Sequence, residues 1–123
     1  MACCRRFDVG LRDACAVRDG NGGEPAGILC ELIDLRSILL RNAETVVRSE
    51  AKTGRCVVTN EAPLTGGFGA EVAAFTQERA FLGLEAPVMR VMGNDTPFPC
   101  ANEAICVPNH RKVLDGIRAV VKF

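Results

Sequence analysis

The residues of this sequence whose types and spacing could perform chemistry are concentrated in two segments. The first begins at Glu61 and reads EAPLTGGFGAE, and the second begins at Gly93 and reads GNDTPFP. Glu61 and Asp95 each follow an apolar run that predicts a strand, so both carboxylates are expected at the carboxyl edge of a sheet, where α/β folds place their functional surfaces. Many purely structural caps occupy the same position, and we therefore expect Glu61 and Asp95 to serve structure and subunit contact rather than proton transfer, with a functional role as the alternative.

Two glycines mark the turn between the first segment and the helix that follows it. Gly66 and Gly67 precede Phe68, Val72 and Phe75, whose helical spacing predicts an amphipathic helix. Glycines at the start of a helix allow a sharp turn and leave backbone N–H groups directed at whatever lies above the sheet. The pattern is compatible with a phosphate or another anion, but a short motif of this kind is more often a tight turn without a ligand.

Composition excludes several classes of partner. Hydrophobic residues make up 48% and charged residues 24% of the chain, and the formal net charge is zero. A neutral balance provides no long-range attraction to nucleic acid or to anionic lipid. The six Phe, with no Trp and no Tyr, are poor material for stacking bases, and no apolar run reaches the roughly 20 residues that span a bilayer. We therefore expect neither a nucleic-acid partner nor a membrane partner.

The cysteines do not predict a metal centre. There are seven cysteines without a CxxC pair, and one histidine. Zinc ligation usually uses paired thiolates two to four residues apart, and adjacent Cys3 and Cys4 cannot easily chelate one tetrahedral ion together. Cys30 and Cys56 lie in strand-like runs as small hydrophobes, so reduced thiols are expected. His110 is predicted to be a capping or exposed residue at the start of a helix, and no Ser/His/Asp or Cys/His constellation is present.

Strands and helices are predicted to alternate along the chain. The predicted strands are residues 28–35, 55–59 and 88–92. The predicted helices run from an N-cap at Asn42 to about Gly54, over residues 67–82, and from Pro108 to the end of the chain. This alternation predicts an α/β fold with a parallel sheet flanked by helices.

The residues of these segments, in their order and spacing, resemble those of a known family. EAPLTGGFGAEVAAFTQERAFLGLEAPVMRVMGNDTPFP, with CELIDLR from Cys30, Val107-Pro108-Asn109 and the closing helix, resembles the C-terminal domain of the β subunit of the branched-chain 2-oxoacid dehydrogenase E1 component. Related pyruvate dehydrogenase β subunits share the architecture but usually have different residues in these segments, which favours the branched-chain member. The resemblance covers residues 29–123 and implies a three-layer α/β/α sandwich of the transketolase C-terminal type with a mostly parallel sheet.

The resemblance also implies a function. The family's enzyme is an oxidoreductase of branched-chain amino acid catabolism that decarboxylates 2-oxoacids on thiamine diphosphate and passes the acyl group to E2. Its C-terminal domain packs the E1 α subunit and a second β subunit into a heterotetramer and presents the surface that docks the E2 lipoyl acyltransferase. A mitochondrial matrix location follows from the resemblance alone, since Asp8 and Asp13 interrupt the arginine-rich start expected of a transit peptide. The candidate interface residues are Glu61, Gly66, Gly67, Phe68, Asp95 and Phe123.

The resembled subunit carries its cofactor chemistry elsewhere. Its pyrimidine-binding domain, which supplies the cofactor-activating glutamate, has no counterpart here, so we assign no catalytic, cofactor-binding or metal-binding residue and expect the isolated chain to be inactive and to bind no thiamine diphosphate. The alternative is a non-catalytic binding or regulatory fragment from a truncated or relaxed gene copy. A third, weaker hypothesis is an unrelated anion-binding domain that uses the Gly66–Gly67 turn.

Residues 1–27 are the least family-like segment, and residues 28–123 are expected to form the domain. The family places a core strand between the predicted strands 28–35 and 55–59, and residues 1–7, with two arginines and no β-branched residue, are a poor substitute for it. We therefore expect a sheet lacking one core strand, a partly helical and loosely attached segment 1–27 with a glycine-rich loop, and marginal stability. Asn60 and Asn94 also stand where the family usually has His and Tyr.

Overall fold

The computed structural model describes residues 2–6, 15–18, 25–38, 43–97, 99 and 101–123, with side chains described from residue 28 onward. The strands are β1 (Ala2–Arg6), β2 (Cys15–Arg18), β3 (Pro25–Leu32), β4 (Cys56–Pro63) and β5 (Met89–Gly93). The helices are α1 (Ala43–Thr53), α2 (Phe68–Ala80), α3 (Glu103–Cys106) and α4 (His110–Lys122), and a 3-10 turn, Phe81–Gly83, follows α2.

The described strands form one mixed sheet in the order β2-β3-β1-β4-β5. β4 and β5 pair in parallel, whereas β1 is antiparallel to both β3 and β4, and β2 is antiparallel to β3. β3, β4 and β5 therefore share one direction, as a mostly parallel sheet requires. The α/β class is confirmed, although β1 and β2 make most of the neighbouring pairs antiparallel.

β1 occupies the position that was predicted to lack a strand. It lies between β3 and β4, with Cys4 opposite Cys30 and Cys3 opposite Cys56, so the prediction of a missing core strand is wrong. Two neighbouring strands with unpaired backbone groups favour any extended segment that can satisfy them, and this demand outweighs weak side-chain propensity. Segment 1–27 was expected to be partly helical, but its described parts, Ala2–Arg6, Cys15–Arg18 and the start of β3, are strands. The rest of the segment lies outside the described residues.

Helices cover both faces of the sheet, as a three-layer sandwich requires. Strand alternation sends Val57 to one face and its neighbours Cys56 and Val58 to the other. On the first face the buried cluster includes α4, and its members are Ile28, Cys30, Val57, Ala86, Ile117 and Val120. On the second face it includes α2, and its members are Cys56, Val58, Val72 and Met92. α1 packs beside α2 on this second face and buries Val46.

The helix ends follow local signals that were largely predicted. α1 ends before Gly54, whose φ of 65° is in the left-handed region that glycine adopts without strain. α4 begins after Asn109, whose side chain accepts a hydrogen bond from the Lys112 N–H at 2.9 Å, so Asn109 is the cap and Pro108 precedes it. His110 is exposed at the first helical position, and within the described ranges no helix is both long and apolar enough to cross a bilayer.

Candidate functional site

The two chemistry-bearing segments meet at the carboxyl edge of β4 and β5. Asp95 accepts hydrogen bonds from the backbone N–H of Thr65 at 2.8 Å and from its hydroxyl at 2.6 Å. The backbone N–H of Leu64 donates to the Gly93 carbonyl at 3.2 Å, and the Arg90 guanidinium donates to the Leu64 carbonyl at 3.2 Å. We call this arrangement, formed by Leu64, Thr65, Arg90, Gly93 and Asp95, the carboxyl-edge clamp.

The clamp favours the ionised form of Asp95. The Thr65 hydroxyl is the largest cause of a lowered pKa, followed by the Thr65 backbone N–H, with smaller help from the Leu64 backbone and the charge of Arg90. Partial desolvation opposes this change. A carboxylate held ionised by hydrogen bonds to its charged form is suited to fixing a loop and is unsuited to delivering a proton near neutral pH.

The glycines of the first segment are required by the backbone path. Gly66 has a φ of 72°, a conformation that residues with a Cβ rarely adopt. Gly67 is the N-cap of α2, and a Cβ placed there would overlap the carbonyl oxygen of Pro63. These two positions therefore let the chain leave β4 and enter α2 within a few residues.

The start of α2 offers little support for an anion site. Thr65, in the turn two residues before the N-cap Gly67, already uses its backbone N–H and its hydroxyl on Asp95. The ionised carboxylate beside this turn disfavours a second anion by repulsion. The tight-turn interpretation of Gly66–Gly67 is the one that this geometry favours.

Phe123, the remaining predicted interface residue, lies at the opposite end of the sheet. α4 starts near the carboxyl edge, where the backbone N–H of Asn94 donates to the carbonyl of Cys106, a few residues before the helix. The end of α4 is bound to the start of β4, because Arg55 Nε donates to the Val120 carbonyl at 3.3 Å. Arg55 also forms an ion pair with Glu85 at 2.5 Å. The last turn of α4 is therefore anchored up to Val120, and Phe123 extends beyond it with 76% of its surface exposed.

Large apolar side chains are exposed around Phe123. Phe81 is 60% and Leu82 is 97% exposed in the turn after α2. Phe81 and Phe123 both line an open groove of about 630 Å³, whose floor includes Ala86 and Val88. We call Phe81, Leu82 and Phe123 the amino-end surface, because they lie where β4 and β5 begin.

Comparison with known proteins now supplies the family. The family model described as transketolase, C-terminal domain, matches residues 21–113. The chain belongs to the transketolase C-terminal domain family. Over 100 residues it is 53% identical to 2-oxoisovalerate dehydrogenase subunit beta 2, mitochondrial, of Arabidopsis thaliana, covering 81% of this chain and 28% of that protein.

Two further relatives are another 2-oxoisovalerate dehydrogenase subunit and a pyruvate dehydrogenase subunit. The chain is 53% identical over 100 residues to the mitochondrial 2-oxoisovalerate dehydrogenase subunit beta of Dictyostelium discoideum, covering 81% of the chain and 27% of that protein. It is 43% identical over 101 residues to the pyruvate dehydrogenase E1 component subunit beta of Bacillus subtilis, covering 81% of the chain and 31% of that protein. The chain thus spans less than a third of each relative, and the predicted similarity to branched-chain E1 β subunits is confirmed.

Asn60, one of the expected departures from the family, lies in a partly buried environment. Its Nδ2 lies near the first turn of α2, 3.4 Å from where a Cβ on Gly69 would stand. Its Oδ1 is buried and accepts no hydrogen bond from the described residues. Asn60 also lines a groove of about 680 Å³ with Leu35, Phe68 and the exposed Ile38. An amide side chain therefore lies beside the carboxyl edge at position 60.

Glu50 is a buried acid that the sequence-based reasoning missed. It is 1% exposed in α1, its Oε1 accepts a hydrogen bond from the Thr76 hydroxyl at 2.9 Å, and its Oε2 has no partner among the described residues. Burial raises the pKa of Glu50, and hydrogen bonds from Cys56 and Thr76 lower it in part. The helical spacing of Glu50 from buried Val46 was an available signal, since residues four apart share a face.

The predicted site residues therefore divide into two groups. Glu61, Gly66, Gly67, Phe68 and Asp95 lie together around the carboxyl edge. Phe123 lies apart at the amino end. Within the part of the chain whose side chains are described, no group of three or more His, Cys, Asp or Glu residues could hold a metal ion.

Proposed function

We propose that this chain acts as the C-terminal domain of a branched-chain 2-oxoacid dehydrogenase E1 β subunit, serving subunit assembly and E2 docking rather than chemistry. The observation that carries the proposal is the amino-end surface. Phe81 and Phe123 line one groove, and with Leu82, which follows Phe81, they expose large apolar area on a domain whose core is otherwise covered by helices on both faces. Clustered apolar exposure of this kind is typical of interaction surfaces.

The exposed end of α4 suits the E2 component as partner. Phe123, which follows α4, presents an exposed aromatic ring, and aromatic anchors in pockets contribute much of the binding energy of interfaces. A pocket on E2 would cover this ring. The anchoring of Val120 by Arg55 presents this end from a fixed helix rather than from a free tail.

The carboxyl edge is proposed as the surface for the E1 α subunit and the second β subunit. Glu61 is exposed beside the clamp, and Phe68 is half-buried at the start of α2, so the edge offers a charge and an apolar side chain on a fixed frame. The backbone hydrogen bonds of the clamp hold that frame before a partner binds, which lowers the entropy that association costs. Gly66 and Gly67 contribute by shaping the turn.

Thiamine diphosphate belongs to the enzyme of this family as a whole, and the residues described here do not fit it. The Thr65 donors in the turn before α2 hold Asp95, and the ionised carboxylate disfavours a second anion in that turn. We propose that this chain contributes packing and docking, and that the cofactor is held by other parts of the assembled enzyme. A mitochondrial matrix location is proposed from the mitochondrial relatives, and a boundary between residues 27 and 28 remains the proposed division of the chain.

Titration with E2 tests the proposal. The purified chain, a Phe123→Ala variant and a chain lacking Lys122 and Phe123 are each titrated with the lipoyl acyltransferase of a branched-chain complex by calorimetry. The two changes should weaken binding by about 1–3 kcal/mol, since they remove an aromatic anchor. Ile38→Ala, which trims an apolar side chain of similar exposure near the carboxyl edge, is the matched control and should leave the dissociation constant unchanged.

Two outcomes would contradict the proposal. An equal dissociation constant for the parent chain and both Phe123 variants would remove E2 docking from the amino-end surface. Thiamine-dependent release of carbon dioxide by the purified chain would contradict its lack of chemistry. Binding to the E1 α subunit with no affinity for E2 would favour the alternative, a regulatory fragment that acts on assembly alone.

A further inference from the structure

Arg55 contacts both sides of the groove that Phe81 and Phe123 line. Its Nη1 forms the ion pair with Glu85, which itself lines the groove. Its Nε donates to the carbonyl of Val120 in the last turn of α4, the helix that ends next to Phe123. One guanidinium therefore joins two segments, residues 81–85 and residues 120–123, which we call the two walls of the groove.

The contact with Val120 closes the end of α4. The last four carbonyl groups of a helix have no donor within that helix, and Val120 is among the last four residues of His110–Lys122. Arg55 supplies a donor there, and its positive charge interacts favourably with the negative end of the helix dipole. Only 22% of the Arg55 side chain is exposed, so its surroundings restrict the direction in which the guanidinium lies.

The contact with Glu85 is reinforced by the turn that precedes β4. The backbone N–H of Glu85 donates to the Gly54 carbonyl at 2.7 Å, and a Cβ on Gly54 would lie 2.7 Å from Glu85 Cγ. Glu85 is therefore held through its main chain and its side chain, shortly after the 3-10 turn Phe81–Gly83. The position of this wall relative to β4 depends on these two contacts.

We propose that Arg55 is a positioning residue that fixes the two walls relative to each other before a partner binds, an inference that rests on the docking function proposed above. An ion pair with an exposed partner contributes little to stability, whereas groups fixed in advance lower the entropy that binding costs. Arginine suits this role because its planar fork presents separate nitrogens to separate acceptors. A lysine ammonium on a flexible stem does not reproduce that geometry.

Hydrogen exchange measured by NMR tests the positioning without any partner. Arg55→Met keeps the aliphatic bulk and removes the donors and the charge, so the amides of Glu85, Val121 and Lys122 should exchange about tenfold faster. Arg90→Met is the matched control, because Arg90 also donates to a backbone carbonyl, but at the carboxyl edge. It should leave both walls exchanging at the parent rates.

Glu85→Gln separates the two contacts of Arg55. It removes the ion pair and leaves the hydrogen bond to Val120, so the amide at position 85 should exchange faster while those of Val121 and Lys122 keep the parent rates. Circular dichroism confirms that each variant is folded. Parent rates on both walls in Arg55→Met, or equal acceleration in Arg90→Met, would overturn the proposal. If Arg55→Met does not fold, an unchanged rate at position 85 in Glu85→Gln would overturn it.

Calorimetric titration with the lipoyl acyltransferase of a branched-chain complex tests the link to docking. Arg55→Met should weaken binding about tenfold, and its loss and that of Phe123→Ala should be less than additive in the double variant, since Arg55 acts through the residues it positions. Equal dissociation constants for the parent and Phe123→Ala would refute docking at this surface and leave the exchange rates to decide the positioning. Fully additive losses, or parent affinity in Arg55→Met despite faster exchange, would overturn the role of Arg55 in docking.

Discussion

The two ends of the sheet differ in whether their surface groups find partners within the domain. At the carboxyl edge, the polar groups of Thr65 and Asp95 satisfy each other, and the backbone of Leu64 pairs with Gly93. At the amino end, Phe81, Leu82 and Phe123 leave apolar area uncovered. α/β folds usually place their functional surface at the carboxyl edge. In this chain the polar groups of that edge are paired within the domain, with Ile38 and Leu64 exposed nearby, and a second exposed apolar surface lies at the other end.

The largest expected effect distinguishes glycines at the two ends. Gly93→Ala places a Cβ against the carbonyl oxygen of Glu61, so the backbone of the clamp must shift, and we expect a loss of about 3 kcal/mol in the free energy of unfolding. Gly83→Ala at the amino end meets only the Ala51 Cα at 4.0 Å and should stay within about 0.5 kcal/mol of the parent. Urea denaturation of both variants measures the difference, and equal stabilities would show that the clamp is not rigid.

The stability of the interior should depend on pH through Glu50. The pKa of Glu50 is raised from 4.5, so the folded chain binds more protons than the unfolded chain between 4.5 and the raised value. The free energy of unfolding should therefore fall as pH rises through that window. Glu50→Gln keeps an acceptor for Thr76 and should remove this slope while leaving stability at the acid end within about 1 kcal/mol.

Glu44 supplies the control for this pH dependence. It lies on the same helix, exposed, and pairs with Arg48 at its surface. Glu44→Gln should leave the slope unchanged. Denaturation series at several pH values measure both variants, and a slope that persists in Glu50→Gln would place its origin elsewhere.

The carboxyl edge should respond to pH in the opposite direction. The pKa of Asp95 is lowered from 3.8, so the unfolded chain binds more protons below that value, and stability should fall as pH drops toward the pKa of the folded state. Thr65→Val removes the hydroxyl donor and keeps the backbone donor, and it should raise the pKa of Asp95 toward 3.8. Carboxyl NMR titration measures this, with Thr96→Val in the neighbouring loop as a control that should not move it.

The smallest effect on stability is expected at the amino end. Leu82→Ser changes a side chain that is 97% exposed, so the free energy of unfolding should stay within about 0.5 kcal/mol of the parent. Its affinity for E2 should nevertheless fall. Leu64→Ser, at an exposed leucine of the carboxyl edge, should leave E2 affinity unchanged, and the reverse result would exchange the roles assigned to the two ends.

Local patterns predicted much of the fold. The apolar run before Glu61, the spacing of Phe68 and Val72 and the position of Gly54 located β4, α2 and the end of α1 within a few residues, because each is decided by neighbours in sequence. The four-residue helix α3 was not predicted, since the prolines nearby favour extended chain. The grouping of Glu61, Gly66 and Asp95 was also predictable, since strands that run in parallel bring their carboxyl ends to one edge.

The sequence by itself determined the family, the alternation of strands and helices, and the glycine turn into α2, because these depend on residue order and short-range sterics. Only the tertiary structure decided the position of β1, because pairing with β3 and β4 depends on backbone groups that are distant in sequence. It likewise decided that Asp95 meets Thr65 and that Glu50 is buried against Thr76.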